Sequence, residues 1–234
     1  MTEAVRFWAV IPAAGTGIRM QMDLPKQYLT INGRRVIEYS LETFCTHPQI
    51  AGVVVALAAG DKLWEGLSFA KHPKVRTAPG GKERCHSVLN CLHALSTVAS
   101  TEDWVLAHDA ARPCIKREDI DQMIATLRDH PVGGLLALPV RDTMKRADSS
   151  QDNGQHVQET VNRKGLWHAL TPQMFRLGRL SKALEQAIQQ KELVTDESQA
   201  MELAGLRPRL VEGRAENIKI TRPSDLKLAK LFLS

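Results

Sequence analysis

The sequence predicts an α/β fold with a largely parallel sheet, and three observations carry that reading. Short apolar runs recur at Phe7–Ile11, Val53–Leu57, Trp104–Ala107 and Gly134–Pro139, each of buried-strand length. Between them apolar residues return at helical spacing, first at Cys85, Val88, Leu89, Leu92 and Leu95, then at Ile120, Met123, Ile124 and Leu127. Alternation of this kind builds parallel sheets covered by helices. Finally, the loops rich in small or charged residues, Ala13–Gly17 and His108–Arg112, directly follow apolar runs. Open sheets of this class bind ligands beyond the carboxyl ends of their strands.

The first strand runs into Pro12-Ala13-Ala14-Gly15-Thr16-Gly17-Ile18-Arg19-Met20, and Leu24-Pro25-Lys26-Gln27-Tyr28-Leu29 follows. Residues this small let the backbone approach a ligand closely, and backbone N–H groups in such a concavity suit phosphate oxygens. Arg19 and Lys26 add full positive charge. The dinucleotide fingerprint is excluded, because Met20 stands at its third glycine position. The P-loop is excluded as well, because Gly81-Lys82 is followed by Glu83, which has no hydroxyl to offer a magnesium ion. What remains is a nucleotidyltransferase loop, in which Gly-x-Gly-x-x-Met precedes a Pro-Lys pair.

Further along, Cys85 and Cys91 fall on a helical pattern and read as small core residues. The Trp104–Ala107 strand delivers His108 and Asp109, and a carboxylate there has no packing reason to be present; its bland alternative is a helix N-cap. From Arg141 to Arg163 the chain turns polar, with Asp152-Asn153-Gly154 near the middle. Asn-Gly marks a tight hairpin turn, so Thr143–Ala147 and His156–Val161 are expected to pair. A lone two-stranded hairpin is marginal in water and needs a surface to lean on, which a second subunit would provide; the alternative is a disordered surface loop. Helical patterns resume at Leu180–Ile188 and Glu197–Ala204, the latter stopped by Gly205. Arg209–Val211 and Ile218–Ile220 read as short strands, and a terminal helix starts near Pro223 and runs through Leu226, Leu228, Ala229 and Phe232. No repeat or flexible linker divides the chain, so residues 1–234 are expected to form a single domain.

Composition narrows the function classes. Apolar residues make up 43% of the 234, ordinary for a globular domain, and no apolar run approaches the ~20 residues of a membrane span. The N-terminal residues lack the features of a signal peptide, so a cytoplasmic location is expected. The four cysteines form no Cys-x-x-Cys pair, which argues against a zinc or redox motif. The net charge of +5 comes from scattered cations without a dense basic run. Anionic small molecules account for it without a nucleic-acid partner.

Taken in order, Pro12–Met20, Pro25–Leu29, Gly80-Gly81 with Ser87, His108–Pro113, Pro139–Arg146, Leu166–Gln173 and Glu212–Pro223 resemble the 2-C-methyl-D-erythritol 4-phosphate cytidylyltransferase family of non-mevalonate isoprenoid biosynthesis. That resemblance implies a Rossmann-like nucleotidyltransferase sheet with helices on both faces. It also implies a protruding β-arm at about 141–163 that interlocks a homodimer. The implied reaction joins CTP and 2-C-methyl-D-erythritol 4-phosphate into 4-diphosphocytidyl-2-C-methyl-D-erythritol and releases pyrophosphate. By the same resemblance Arg19, Lys26 and Lys219 act on the reacting phosphate, and Ala13, Ala14, Gly15, Gly17, Gly80, Gly81, Ser87 and Asp109 bind CTP. Thr143, Arg163 and Thr171 would cradle the sugar-alcohol phosphate, with the first two supplied by the partner's arm. Arg112 would brace its loop or reach that substrate, and His108 would be structural. Asp109 would lie near a magnesium ion, a hard cation that accepts one carboxylate plus phosphate oxygens. One departure stands out: Lys82 follows the glycine pair where the family commonly has Asp, so Lys82 is expected to face solvent while backbone groups read the base. The rival readings are a ribitol-5-phosphate cytidylyltransferase and a catalytically silent nucleotide-binding regulator. The Arg141–Arg146 and Trp167–Gln173 motifs oppose the first, and the presence of Arg19, Lys26, Asp109 and Lys219 opposes the second.

Overall fold

From Trp8 to Ile11 the first strand, β1 (Phe7–Pro12), is buried on both faces. Successive strand side chains point to opposite sides, so one such strand seeds two cores. Ala9 and Ile11 join the core on one face, with Leu41 and Phe44 of α1 (Val36–Thr46). Trp8 and Val10 join the other, with Val88 and Leu92 of a later helix. Helices on both faces are therefore a consequence of β1's sequence. The structure, a computed structural model, describes residues 4–15, 24–148 and 156–234.

After β1 the chain makes a short hairpin, β2 (Thr30–Ile31) and β3 (Arg34–Arg35), and then α1. Its turn is Asn32-Gly33, with φ of 49° and 81°. Glycine and asparagine tolerate this left-handed backbone better than other residues. Next come β4 (Ile50–Leu57), β5 (Val75–Pro79), α2 (Arg84–Leu95), β6 (Trp104–Ala107), α3 (Arg117–Leu127) and β7 (Gly133–Pro139). The arm strands β8 (Met144–Ala147) and β9 (Val157–Val161) precede β10 (Trp167–Arg176), α4 (Leu177–Gln189), α5 (Glu197–Leu203), β11 (Arg209–Glu212) and α6 (Pro223–Phe232).

Seven strands form the main sheet in the order β11-β7-β10-β6-β1-β4-β5. All neighbours are parallel except β10, which runs antiparallel to both β6 and β7. The β8–β9 arm is a separate antiparallel pair in the register Met144↔Val161. Its expected turn, Asp152-Asn153-Gly154, lies outside the described residues. Among those residues, no helix is long and apolar enough to cross a membrane.

The expected strands and helices are present, with one exception and several additions. Ile218–Ile220 is not a strand. That segment is irregular and is tied to the fold by the Ile220 N–H, which donates to Ala111 O at 2.8 Å. The unanticipated elements are α1, the β2–β3 hairpin, β5 and β10.

Candidate active site

The carboxyl ends of β1, β5 and β6 open on one edge of the sheet and border a cleft of about 440 Å³. Of the expected site residues, Ala13, Ala14, Gly15, Lys26, Gly81, Ser87, Asp109 and Lys219 line it. Gly17 and Arg19 lie outside the described residues. Lys26, Lys82, Arg84 and Lys219 face Glu83 and Asp109 across the lining, so the cleft carries a surplus of positive charge suited to an anionic ligand.

Asp109 forms the electrostatic centre. It lies just past β6 and is 7% exposed. Arg84 Nε donates to Asp109 Oδ1 at 2.9 Å, and Lys219 Nζ lies 2.8 Å from Oδ2. Arg112 Nε sits 3.6 Å from the same Oδ2. Burial works against a charge on Asp109, but Arg84, Lys219 and Arg112 outweigh it and hold its carboxyl well below the usual carboxylate range. No helix begins at Asp109, so its expected alternative, an N-cap, does not apply.

A chain of hydrogen bonds fixes this carboxylate from below. The Asp109 N–H donates to Thr171 Oγ1 at 3.1 Å, and that hydroxyl lies 3.0 Å from His108 Nδ1. His108 Nε2 lies 3.1 Å from Arg112 O, which only accepts. The proton of the neutral imidazole is therefore on Nε2, Nδ1 accepts, and the Thr171 hydroxyl donates to it. Burial pushes the His108 pKa down to about 4, only partly opposed by Asp109. His108 is thus fully buried and hydrogen-bonded at both ring nitrogens. Thr171 and Arg112 do not border the cleft. Thr171, expected to cradle substrate, is buried, and its hydroxyl is engaged beneath Asp109. Arg112, expected to brace its loop or reach the substrate, ties that loop to neighbouring segments. Its Nη1 donates to Asn217 O at 2.7 Å, and Asn217 Nδ2 donates to Thr171 O at 2.8 Å.

Gly80 and Gly81 act differently from each other. A Cβ on Gly80 would sit 2.1 Å from Ala14 Cβ and 2.8 Å from Leu57 O, so this glycine lets β5 close against the first loop, behind the cleft rather than in it. On Gly81 a Cβ would meet His86 Cβ at 2.3 Å. The Gly81 N–H donates to Ser87 Oγ at 3.0 Å, and Ser87 Oγ donates to Glu83 O at 3.3 Å. Lys82 is exposed, as expected, yet it still borders the cleft. Thr143 and Arg163 are exposed at the two ends of the arm and do not border this chain's own cleft.

Sequence reasoning missed Arg84, Glu197 and Asn217. Arg84 bridges Asp109 and Glu197, with Nη1 and Nη2 donating to Glu197 Oε1 and Oε2 at 2.6 and 2.9 Å. Glu197 is fully buried. Burial opposes the charge on Arg84, yet Glu197 and Asp109 raise its pKa. The overlooked signal was position. Arg84 opens α2, where a cation meets the positive end of the helix dipole and needs another reason to be there. Glu197 gave no such signal, since an acid in the first turn of α5 is ordinary.

Among the described residues, no group of three or more His, Cys, Asp or Glu is arranged to hold a metal ion. Asp109 is ionised and offers oxygen donors beyond the two short contacts it makes. These residues fit a magnesium ion held by one carboxylate together with phosphate oxygens, and they do not form a protein-only cage.

The family model for 2-C-methyl-D-erythritol 4-phosphate cytidylyltransferase (IspD) matches residues 7–234. The chain is 54% identical over 222 residues to the protein of that name from Pseudomonas putida strain GB-1, covering 94% of this chain and 93% of that one. Against the same-named protein of Pseudomonas fluorescens strain SBW25 it is 53% identical, covering 96% and 94%. Among solved structures, a 4-diphosphocytidyl-2C-methyl-D-erythritol synthase superposes with a TM-score of 0.85 at 36% identity over all of both chains. The Francisella tularensis cytidylyltransferase gives 0.84 at 34%, covering 97% of this chain and 99% of that one. By sequence along nearly its whole length, and by the fold that holds the cleft, this chain belongs to the 2-C-methyl-D-erythritol 4-phosphate cytidylyltransferase family.

Proposed function

We propose that this chain transfers the cytidylyl group of CTP to 2-C-methyl-D-erythritol 4-phosphate, forming 4-diphosphocytidyl-2-C-methyl-D-erythritol and pyrophosphate for isoprenoid precursor synthesis. The observation that carries the reading is buried Asp109, paired with Lys219 and Arg84 on the floor of a cationic cleft that Lys26 and the Ala13–Gly15 loop border. Family membership names the two substrates.

The chemistry follows from charge. A phosphate oxygen of the sugar-alcohol phosphate attacks the α-phosphorus of CTP; a new P–O bond forms as the bond to the β-phosphate oxygen breaks and pyrophosphate leaves. The attacking phosphate is ionised near neutral pH and needs no general base. The protein's task is to bring two anions together and to stabilise the charge that moves. Lys26, Lys219 and Arg19 carry that role, Arg with a planar fork and Lys with a compact charge. Asp109 pairs with Lys219 and Arg84 and holds both side chains in place. A bound magnesium ion, held by Asp109 and nucleotide phosphates, would neutralise triphosphate charge. Ala13, Ala14, Gly15, Gly17, Gly81 and Ser87 receive the nucleotide, and Gly80 lets their loops pack.

The arm completes the reading. Its strands are almost wholly exposed, and Val157 is 62% exposed, which suits an arm docked on a second subunit. Thr143 and Arg163 then reach the sugar-alcohol phosphate in the partner's cleft within a homodimer. The four cysteines are all buried free thiols, as suits the reducing cytoplasm.

Pyrophosphate release from a matrix of nucleotides and sugar-alcohol phosphates, with magnesium, tests the assignment. Turnover is expected with CTP and 2-C-methyl-D-erythritol 4-phosphate. Equal turnover with ribitol 5-phosphate overturns the substrate assignment, and no release from any CTP pair overturns the activity.

A further inference from the structure

Gln27 follows Lys26 and borders the cleft with it, yet it is only 4% exposed. It lies in a single turn of 3-10 helix, Lys26–Tyr28, that no expected role required. Its one amide nitrogen donates to Ala13 O at 2.6 Å and to Gly15 O at 3.2 Å. An amide nitrogen carries two N–H groups, so both of its protons go to the same loop.

Ala13 is anchored through its N–H to Ala56 O at 2.9 Å. Ala14 lies against Gly80, where an added Cβ would come within 2.1 Å of Ala14 Cβ, whereas a Cβ placed on Gly15 would meet nothing within 4 Å among the described residues. A glycine in open space is free to rotate, and such freedom costs entropy when a ligand requires one conformation. The peptide unit is planar, so pinning the Ala13 carbonyl also sets the direction of the Ala14 N–H, which points opposite to it. Because Gln27 adjoins Lys26, the same side chain sets the spacing between the loop and that lysine.

We propose that Gln27 is a positioning residue. It orients the Ala13–Gly15 peptides as anion receptors and keeps them in register with Lys26 before the nucleotide arrives. The inference rests on reading this loop as the triphosphate cradle. Any isosteric side chain would fill the space, but only a double N–H donor holds both carbonyls.

Two variants and two readouts test it. Gln27→Met keeps the volume and removes both donors. Amide hydrogen exchange at Ala14 and Gly15 in the ligand-free protein should accelerate at least tenfold. The KM for CTP should rise roughly tenfold, with that for the sugar-alcohol phosphate within twofold. Gln27→Glu adds a pH signature. Its carboxylate would face two carbonyl oxygens, so its pKa rises, and only the protonated form donates, to one of them. Its kcat relative to the parent should therefore increase at least threefold from pH 8 to pH 6. A folded Gln27→Met protein whose loop exchange and CTP KM both stay within twofold of the parent overturns the proposal. If the parent protein binds no CTP, the functional reading falls instead. Loop exchange then decides Gln27 alone: faster supports the clamp, and unchanged overturns it.

Discussion

Removing Glu197 should cost more stability than removing any surface acid of this chain. Its carboxylate is fully buried and receives two N–H bonds from Arg84 at 2.6 and 2.9 Å. Breaking a buried pair by deleting one partner typically costs about 3–5 kcal/mol, because the other charge is left uncompensated. Here Arg84 keeps Asp109 as a partner and its side chain is 24% exposed, so the lower end applies, about 3 kcal/mol for Glu197→Ala. For a domain of this size that corresponds to a melting temperature lower by roughly 6–12 °C. An internal control is at hand in Glu185, which pairs with His93 at 3.0 Å but is 46% exposed. Glu185→Ala should change stability by less than about 0.5 kcal/mol. Urea unfolding followed by circular dichroism, with all proteins at one pH, gives both numbers. If Glu197→Ala and Glu185→Ala fall within 0.5 kcal/mol of each other, the pair on the cleft wall carries no special energy and the reasoning fails. A further cycle with Arg84→Met separates the cost of the orphaned charge from the net worth of the pair. The double variant should be less destabilised than the sum of the singles.

Lys26→Ala should lower kcat by about 100-fold or more while shifting the CTP KM far less, since only interactions that strengthen toward the transition state raise the rate; a change confined to KM refutes this. In the proposed shared-arm dimer, Lys26→Ala subunits mixed with Arg163→Ala subunits should regain activity after exchange, because every hybrid dimer then holds one site with both residues intact. Verified hybrids that stay inactive would show that Arg163 serves its own chain. His108 has a pKa pushed from 6.5 down to about 4, so the unfolded chain binds the extra proton first and stability falls as pH drops from above 6.5 toward 4. At pH 5 this one group should cost about 2 kcal/mol relative to pH 8, a loss that His108→Gln removes and that denaturant unfolding at the two pH values measures.

The parts of the fold legible in the sequence were those with a single dominant period. β1, β6 and β7 are uninterrupted apolar runs, and α2 and α3 carry clear stripes. β10 was hidden because Pro172 sits inside it, and proline argues against an interior strand. The sheet accommodates it by breaking register between Ala169 and Gln173. β5, an edge strand reading Val-Arg-Thr-Ala-Pro, has one buried residue and so no alternation to find. The Asn32-Gly33 turn was visible in principle, but its strands are only two residues each. In the site, Lys26, Lys219 and Asp109 were legible as motifs. The Asp109–Arg84–Glu197 chain was not, because its members are 25 and 113 positions apart and only the fold joins them.

The reversed direction of β10 has a consequence for how this molecule can change. Pro139 at the end of β7 pairs with Trp167 at the start of β10, and the Val140 N–H donates to Leu166 O at 2.9 Å. The arm therefore leaves and re-enters the domain through one closed hairpin base, on the edge where the nucleotide loops lie. Everything beyond that base can be lengthened, shortened or rewritten without shifting the register of the seven-stranded sheet. Sequence change in the arm is thus uncoupled from the sheet that holds the cleft loops in place.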